Sequence, residues 1–104
     1  MTQEQFIAQF KQITEEMAEI AKSKNSDYSR WETNPFRNFE YLEHLTQWKI
    51  KTEYNILWLM CNKMSRIANL IEWEWQVNEK ITDTLLDLSN YSIILLLYIK
   101  NKEI

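Results

Sequence analysis

Apolar residues recur every three or four positions along most of the chain, which is the spacing of one face of an α-helix. This pattern predicts a first helix from about Gln3 to Lys24. We expect it to end at Asn25, because asparagine tolerates the left-handed conformation that glycine usually adopts there. Thr2 and Gln5 have the spacing of a capping box. The predicted apolar stripe of this helix consists of Phe6, Phe10, Ile13, Met17 and Ile20.

The segment NSDYSRWETNPFRNF, residues 25–39, interrupts the pattern and contains the single proline of the chain, Pro35. Asn34 before it is biased towards extended backbone because the proline ring clashes with a helical neighbour. Four aromatic side chains in the segment favour an ordered loop, since disordered linkers contain few aromatic residues. A short helix from Phe39 to Leu45 is predicted to follow.

A third helix is predicted from Thr52, acting as its cap, to about Trp73. Its predicted buried residues are Ile56, Leu57, Met60, Met64, Ile67, Leu70 and Ile71. The string WEWQVN then breaks the periodicity and forms a connection.

The last helix is predicted from about Glu79 to Lys100. It is apolar nearly all round after Tyr91, which predicts a central place in a bundle or in a dimer interface. Together these elements predict an all-α fold. We expect a single-domain helical bundle, residues 1–104, of three long helices plus a short one.

Composition excludes several kinds of site. The chain has no glycine, and both the P-loop and the Rossmann fingerprint need glycine where the backbone approaches phosphate. One histidine and one cysteine cannot supply the four ligands of a structural zinc site. Cys61 lies on a strongly apolar helix, so we expect a buried, unreactive thiol rather than a nucleophile paired with His44. Carboxylate oxygen remains plentiful, and it is the ligand that Mg²⁺ prefers.

Charge and hydropathy restrict the partners. A net charge of −3 argues against direct nucleic-acid binding. The longest apolar run, Ile93–Ile99, is far shorter than the roughly 20 residues of a membrane span. The start, MTQEQFIAQFKQ, lacks the basic residues and apolar core of a signal peptide. With its single cysteine, the chain is predicted to work in a reducing, cytoplasmic setting without a membrane partner.

The last helix carries an acidic row. Glu79, Asp83 and Asp87 follow each other at intervals of four residues, which places neighbours ~6 Å apart on one face. Like charges in a row repel, and a divalent cation such as Mg²⁺ would offset this repulsion. The alternative is a solvated stripe balanced by Lys80 and by cations of the third helix. Leucines on both sides of Asp87 predict that its carboxylate is at least half buried, where charges are normally paired or metal-bound.

Two further groups of polar residues are candidates for a nucleotide site. Lys63 and Arg66 are three residues apart on the third helix, and they would contact ligand phosphates or close salt bridges to the acidic row. A cluster just after the first helix would form either a capping turn or one rim of a pocket, with an aromatic side chain stacking on a base. This cluster consists of Lys24, Asn25, Asp27 and Tyr28.

Four strings in order resemble the nucleotide modification associated domain 1 family of phages and prophages: KNSDY, NPFRNFE, KMSRIANLI and EKITDTLLDLSNYSI. That family is thought to be distantly similar to the all-α, MazG-like NTP pyrophosphatases. The resemblance extends from about Phe6 to Lys102. It implies an all-α bundle, often dimeric, in which acidic residues hold Mg²⁺ against the phosphates of a nucleotide.

The resemblance also implies site residues. The matching nucleotide-binding positions are Lys24, Asn25, Asp27, Tyr28, Lys63 and Arg66, and the matching catalytic and metal-binding positions are Glu79, Asp83 and Asp87. Glu53 also falls where relatives tend to have an acid. Asn62 stands where relatives have an aspartate facing the metal, Leu59 where they have an arginine, and Lys80 in place of a second acid. Losing a carboxylate weakens Mg²⁺ binding, so a degraded active site is expected.

Three functions follow from these observations. The first is a metal-dependent NTP or dNTP pyrophosphohydrolase, and the second is nucleotide binding without turnover. The third is a phage anti-defence protein, for example an anti-CRISPR inhibitor, that binds a host protein or sequesters a signalling nucleotide. Exposed tryptophans would favour the third, and the candidates are Trp48, Trp58, Trp73 and Trp75. In each case we expect a homodimer in the cytoplasm of a bacterial host cell.

Overall fold

The computed structural model describes residues 1–28, 34–73 and 81–102, with only the backbone described at 25–28 and 73. These residues form helices and, among themselves, no strand, which confirms the predicted all-α class. The helices are α1 (Gln3–Tyr28), α2 (Arg37–Leu45), α3 (Thr52–Trp73) and α4 (Ile81–Lys102). None of the described helices is long and apolar enough to cross a membrane.

The chain forms two compact units, Met1–Pro35 and Phe36–Ile104. The first contains α1. In the second, α3 packs along α4 and α2 packs against α3. The organisation as one folding domain stays a prediction.

The start of α1 is confirmed in detail. The Gln5 backbone N–H donates to the Thr2 hydroxyl at 3.1 Å, and the Thr2 backbone N–H donates to the Gln5 side-chain oxygen at 2.9 Å. The predicted end at Asn25 is wrong, because α1 continues to Tyr28. Polar residues such as asparagine and serine cost a helix only a fraction of a kcal/mol each, and the strong helix breaker, Pro35, comes later.

The apolar stripe of α1 is mostly exposed. Met17 is its one buried side chain, Ile20 is partly buried, and Phe6, Phe10 and Ile13 are exposed. The described part of the first unit offers no second helix against which these side chains could pack.

The turn between α2 and α3 is held by hydrogen bonds. The Thr46 hydroxyl donates to the Leu42 carbonyl at 2.7 Å and accepts the Ile50 backbone N–H at 3.1 Å. Gln47 and Trp48 have φ angles of 55° and 72°, a left-handed conformation that costs a residue with a Cβ about 1–2 kcal/mol. A chain without glycine adopts this turn because the surrounding hydrogen bonds offset that cost.

The α3 helix begins at the predicted residue but is capped differently. Thr52 is its first helical residue, and the backbone N–H groups of Tyr54 and Asn55 donate to the carbonyl of Lys51, which therefore occupies the cap position. The buried Thr52 hydroxyl donates instead to the Glu43 carboxylate at 2.6 Å. This bond joins α2 to the start of α3.

The core of the second unit lies between α3 and α4. Its buried apolar side chains are Ile56, Leu70 and Tyr98, and Thr52 and Thr84 are completely buried beside them. At the Tyr98 end of this core, the Phe36 ring packs edge-to-face against the Tyr98 ring, with the ring centroids 5.3 Å apart.

Three of the predicted core residues of α3 are exposed: Leu57 by 44%, Met64 by 57% and Ile71 by 67%. The predicted burial of Cys61 is also wrong, because its thiol is exposed. The reason is that the apolar residues of α3 occupy two faces, and only one face packs on α4.

The apolar second half of α4 is likewise incompletely covered. Tyr98 is buried, but several large side chains of this helix are exposed: Ile93, Leu96, Leu97 and Ile99. The prediction that α4 is buried centrally in its own bundle is therefore wrong. The alternative, that its apolar half lies in a dimer interface, stays a prediction.

Candidate functional site

A charged pair joins the middle of α3 to the first half of α4. The Lys63 ammonium lies 3.0 Å from the Asp87 carboxylate, and the two side chains are only 17% and 24% exposed. This confirms that Asp87 is more than half buried and paired. An ion pair removed this far from water interacts more strongly than a fully exposed pair.

Asp83 and Arg66 extend this pair by one helical turn. Asp83 precedes Asp87 on α4, and Arg66 follows Lys63 on α3; both are exposed. Since the two helices are antiparallel, these residues lie in the same direction from the ion pair. The four residues therefore follow one another along the α3–α4 pair, with the partly buried ion pair first and the exposed Asp83 and Arg66 beyond it. We call these four residues the α3/α4 charge junction.

The other predicted site residues belong to the first unit or lie outside the described residues. Lys24 lies exposed in α1, in the first unit. Asn25, Asp27 and Tyr28 form the last turns of α1, and only their backbone is described. Glu79 lies outside the described residues. Their part in the site stays a prediction.

The donor set limits how a metal could bind. Among the side chains that the structure describes, no three of His, Cys, Asp or Glu converge on one point. Asp83 and Asp87 supply two carboxylates, and Lys63 already neutralises one of them. Mg²⁺ is often held by one or two carboxylates together with substrate phosphates and water. The described junction therefore fits a metal that arrives with a phosphate ligand better than a preformed metal cage.

Thr84 is a residue that the sequence interpretation missed. It lies between the two aspartates of α4 and is completely buried, and its hydroxyl has no hydrogen-bond partner among the described residues. A buried hydroxyl without a partner costs about 1–3 kcal/mol. Periodicity could have placed position 84 on the buried face, but no local pattern shows that a hydroxyl there lacks a partner.

A second polar cluster lies at the opposite end of the α3–α4 pair. The Glu53 carboxylate accepts a hydrogen bond from Lys102 at 2.9 Å, and the Lys102 ammonium lies 5.4 Å from the centre of the Tyr98 ring. Glu53 precedes Lys63 by ten residues, which is about 15 Å along a helix. Glu53 is therefore too far from Asp87 to share an ion with it.

The pKa of Glu53 reflects this contact. Burial alone would raise the pKa of the carboxyl, but hydrogen bonds from Lys102 and from the backbone N–H of Glu53 hold it below its usual 4.5. The same hydrogen bond raises the pKa of Lys102 above 10.5. A lowered carboxyl pKa stabilises the fold fully above about pH 4.5, and this contribution disappears as the pH falls through the lowered pKa.

Lys102→Met should therefore change the acid dependence of stability. We expect a lower melting temperature than that of the unaltered protein at neutral pH, and a difference that shrinks as the pH falls below 4.5. Circular dichroism melts at a series of acidic pH values measure this. Lys100→Met, a nearby exposed residue, controls for loss of a positive charge. A constant difference at all pH values would contradict a role for Glu53 ionisation.

Compared with known proteins, the chain matches no family model, no curated protein and no solved structure. The resemblance to the nucleotide modification associated domain 1 family therefore stays a prediction. The fold and the site by themselves define an all-α helical protein with a charge junction between two antiparallel helices.

Proposed function

We propose that this protein binds the phosphate groups of a nucleotide at the α3/α4 charge junction, together with Mg²⁺. The observation that supports this most is the Lys63–Asp87 pair, 3.0 Å apart and largely withdrawn from water. Lysine is seldom buried without a paired charge. A partly dehydrated ammonium near a second, exposed cation, Arg66, is well suited to an anionic ligand.

Each residue of the junction has a distinct part in this proposal. Lys63 has three N–H donors, so it can contact a phosphate oxygen while keeping its bond to Asp87. Arg66, exposed one turn further on, offers a planar fork that matches phosphate oxygens. Asp83 and Asp87 would hold the Mg²⁺ that accompanies the phosphates, with Glu79 as the third carboxylate of the family pattern.

The ligand class follows from charge. The protein carries a net charge of −3, which disfavours a long polyanion but not a small ligand whose phosphates are neutralised locally by Lys63, Arg66 and Mg²⁺. Lys24, Asn25, Asp27 and Tyr28 remain the further nucleotide-binding positions that the resemblance predicts. The protein is proposed to be of phage origin and to act as a homodimer in the cytoplasm of a bacterial host cell.

We propose that the protein binds the nucleotide but hydrolyses it slowly or not at all. Hydrolysis of the α–β phosphate bond needs a metal-activated water and a full set of carboxylates to position the metal. Asn62, exposed one residue before Lys63, supplies a neutral amide where relatives have a charged aspartate. An amide oxygen binds Mg²⁺ less strongly than a carboxylate, so the metal would be poorly held without the nucleotide.

Thermal stabilisation tests the binding proposal. A ligand that binds only the native state stabilises it by about 2.7 kcal/mol at 100 times its Kd. We expect a nucleoside triphosphate to raise the melting temperature in the presence of Mg²⁺, and the Asp83→Asn, Asp87→Asn double variant to lose this effect. Glu15→Gln, Glu16→Gln in α1 removes the same charge from exposed positions and should keep it. No shift with any common nucleotide would overturn the proposal.

Turnover is tested separately. Phosphate released by added pyrophosphatase reports pyrophosphate production from a nucleotide panel. We expect a Mg²⁺-dependent signal that is absent or very slow, with the nucleotide recovered unchanged from the complex. Rapid release that Asp83→Asn abolishes would show an intact hydrolase instead.

A second candidate function is binding of a host protein as an anti-defence factor, such as an anti-CRISPR inhibitor. It is favoured by two tryptophans on the second unit, Trp48 and Trp58, which are 65% and 66% exposed. Tryptophan is enriched at the centres of protein interfaces. Trp73 has only its backbone described, and Trp75 lies outside the described residues. The test is co-purification of a bacterial protein with this protein as bait. Loss of that protein on Trp48→Ala or on Trp58→Ala, tested in parallel, would support this function. A bait that retains no protein would argue against it.

A further inference from the structure

A continuous apolar row runs along the face of α3 that α4 does not cover. Its members alternate at spacings of three and four residues, and all are exposed: Tyr54, Leu57, Cys61, Met64, Ala68 and Ile71. The row extends over about 26 Å of helix. We call these six residues the α3 seam.

The α3 seam is separate from the face that packs in the unit. The buried face carries Ile56, Leu70 and the partly buried Lys63, none of which belongs to the seam. Single exposed apolar residues are ordinary, but a long row is not, because soluble proteins seldom leave large contiguous apolar surfaces in water. Alternating spacings of three and four are the spacing of the contact positions in a coiled coil.

We propose that the α3 seam binds the same seam of a second copy, with the two α3 helices antiparallel across a two-fold axis. In a two-fold interface each contact occurs twice. Antiparallel pairing about the middle of the seam places Tyr54 opposite Ile71 of the partner subunit and Leu57 opposite Ala68 of the partner subunit. A large side chain thus meets a small one in the second layer, which permits close packing.

The residues beside the seam select this orientation. Lys51 and Glu72 flank the two ends of the seam on the same side, and both are exposed. In an antiparallel pair, Lys51 lies beside Glu72 of the partner subunit at both ends, whereas a parallel pair would leave these two residues about 30 Å apart along the axis. The same side also carries Trp58 and Ser65. The antiparallel pair places the large exposed indole beside the small Ser65 of the partner subunit.

The arrangement places one reactive group close to the two-fold axis. Cys61 is the single cysteine of the chain, its thiol is exposed, and it lies next to the middle of the seam. Two copies of Cys61 would therefore approach each other across the interface. Asn69, exposed on α3 but outside the seam, would lie about 20 Å along the axis from its symmetry mate.

The first experiment measures mass against concentration by analytical ultracentrifugation. We expect a monomer–dimer equilibrium, and we expect Met64→Glu to weaken it at least 10-fold by placing a charge in the seam. Asn69→Glu adds the same charge to the same helix outside the seam and should leave the dimer unchanged. Circular dichroism should show both variants folded, because both positions are exposed in the unit.

The second experiment tests position and orientation. A short bismaleimide should crosslink the unaltered dimer through Cys61. Cys61→Ser should abolish the product, and Cys61→Ser, Asn69→Cys should not restore it. Lys51→Glu should weaken the dimer roughly 2- to 30-fold, the range for two exposed ion pairs, and adding Glu72→Lys should restore it. A parallel dimer would not show this restoration.

Several results would overturn the proposal. A protein that stays monomeric at all concentrations would do so, and so would a dimer that Met64→Glu leaves intact. If the protein is a monomer and Met64→Glu lowers its melting temperature, another segment of the same chain covers the seam. In that case the seam does not bind a second copy. None of these results bears on nucleotide binding, which the thermal-shift experiment tests by itself.

Discussion

Ile56→Ala is expected to lower the free energy of unfolding by about 2–5 kcal/mol, the cost of removing a large aliphatic side chain from a packed core. Ile56 is completely buried between α3 and α4. The small second unit has few such side chains among its described residues, so the cavity removes a large part of the apolar contact that holds the two helices together.

Urea denaturation followed by circular dichroism measures this change. Leu45→Ala is the matched control, because Leu45 is one of the most exposed apolar residues of the same unit and its truncation should change stability by less than about 0.5 kcal/mol. Equal effects of the two substitutions would show that Ile56 is not a core residue.

Thr84→Val is expected to stabilise the protein by about 1–3 kcal/mol. Valine has nearly the shape of threonine, and the substitution removes a buried hydroxyl that has no partner among the described residues. Most single substitutions destabilise, so a gain at a completely buried position would be a distinctive result.

Two controls accompany this substitution. Thr82→Val changes an exposed threonine of the same helix and should have little effect, whereas Thr84→Ser keeps the hydroxyl, loses the methyl group and should destabilise. Loss of stability in Thr84→Val would mean that the hydroxyl has a partner in the folded protein. Measuring nucleotide binding in the same variant would then show whether that partner is the ligand, since Thr84 lies between Asp83 and Asp87.

The helices were largely predictable because their signals are local. The capping box of Thr2 and Gln5 forms as its spacing predicts, and α3 begins and ends at Thr52 and Trp73. The last helix continues two residues past its predicted end, to Lys102, and its predicted first residues, Glu79 and Lys80, lie outside the described part of the chain. The end of α1 was missed because asparagine permits a helix to end without requiring it.

The candidate site was predictable in part. The leucines around Asp87 indicated a carboxylate withdrawn from water, and the structure confirms both its burial and its pairing with Lys63. The sequence left two roles open for Lys63 and Arg66, contact with ligand phosphates or salt bridges to the acidic row. The structure shows the salt bridge between Lys63 and Asp87, and contact with a ligand stays a prediction. The relation of Lys24 and its neighbours to this junction stays a prediction.

By itself, the sequence determined the all-α class, the positions of the helices and the absence of glycine-dependent phosphate sites, because each depends on residues close together in the chain. Only the tertiary structure decided which apolar face of α3 is buried, and so left Leu57, Met64 and Cys61 exposed while enclosing Ile56. It also decided that Thr84 would be buried without a partner. Helical periodicity shows that a face is apolar, but the neighbour that covers it comes from elsewhere in the chain or from another molecule.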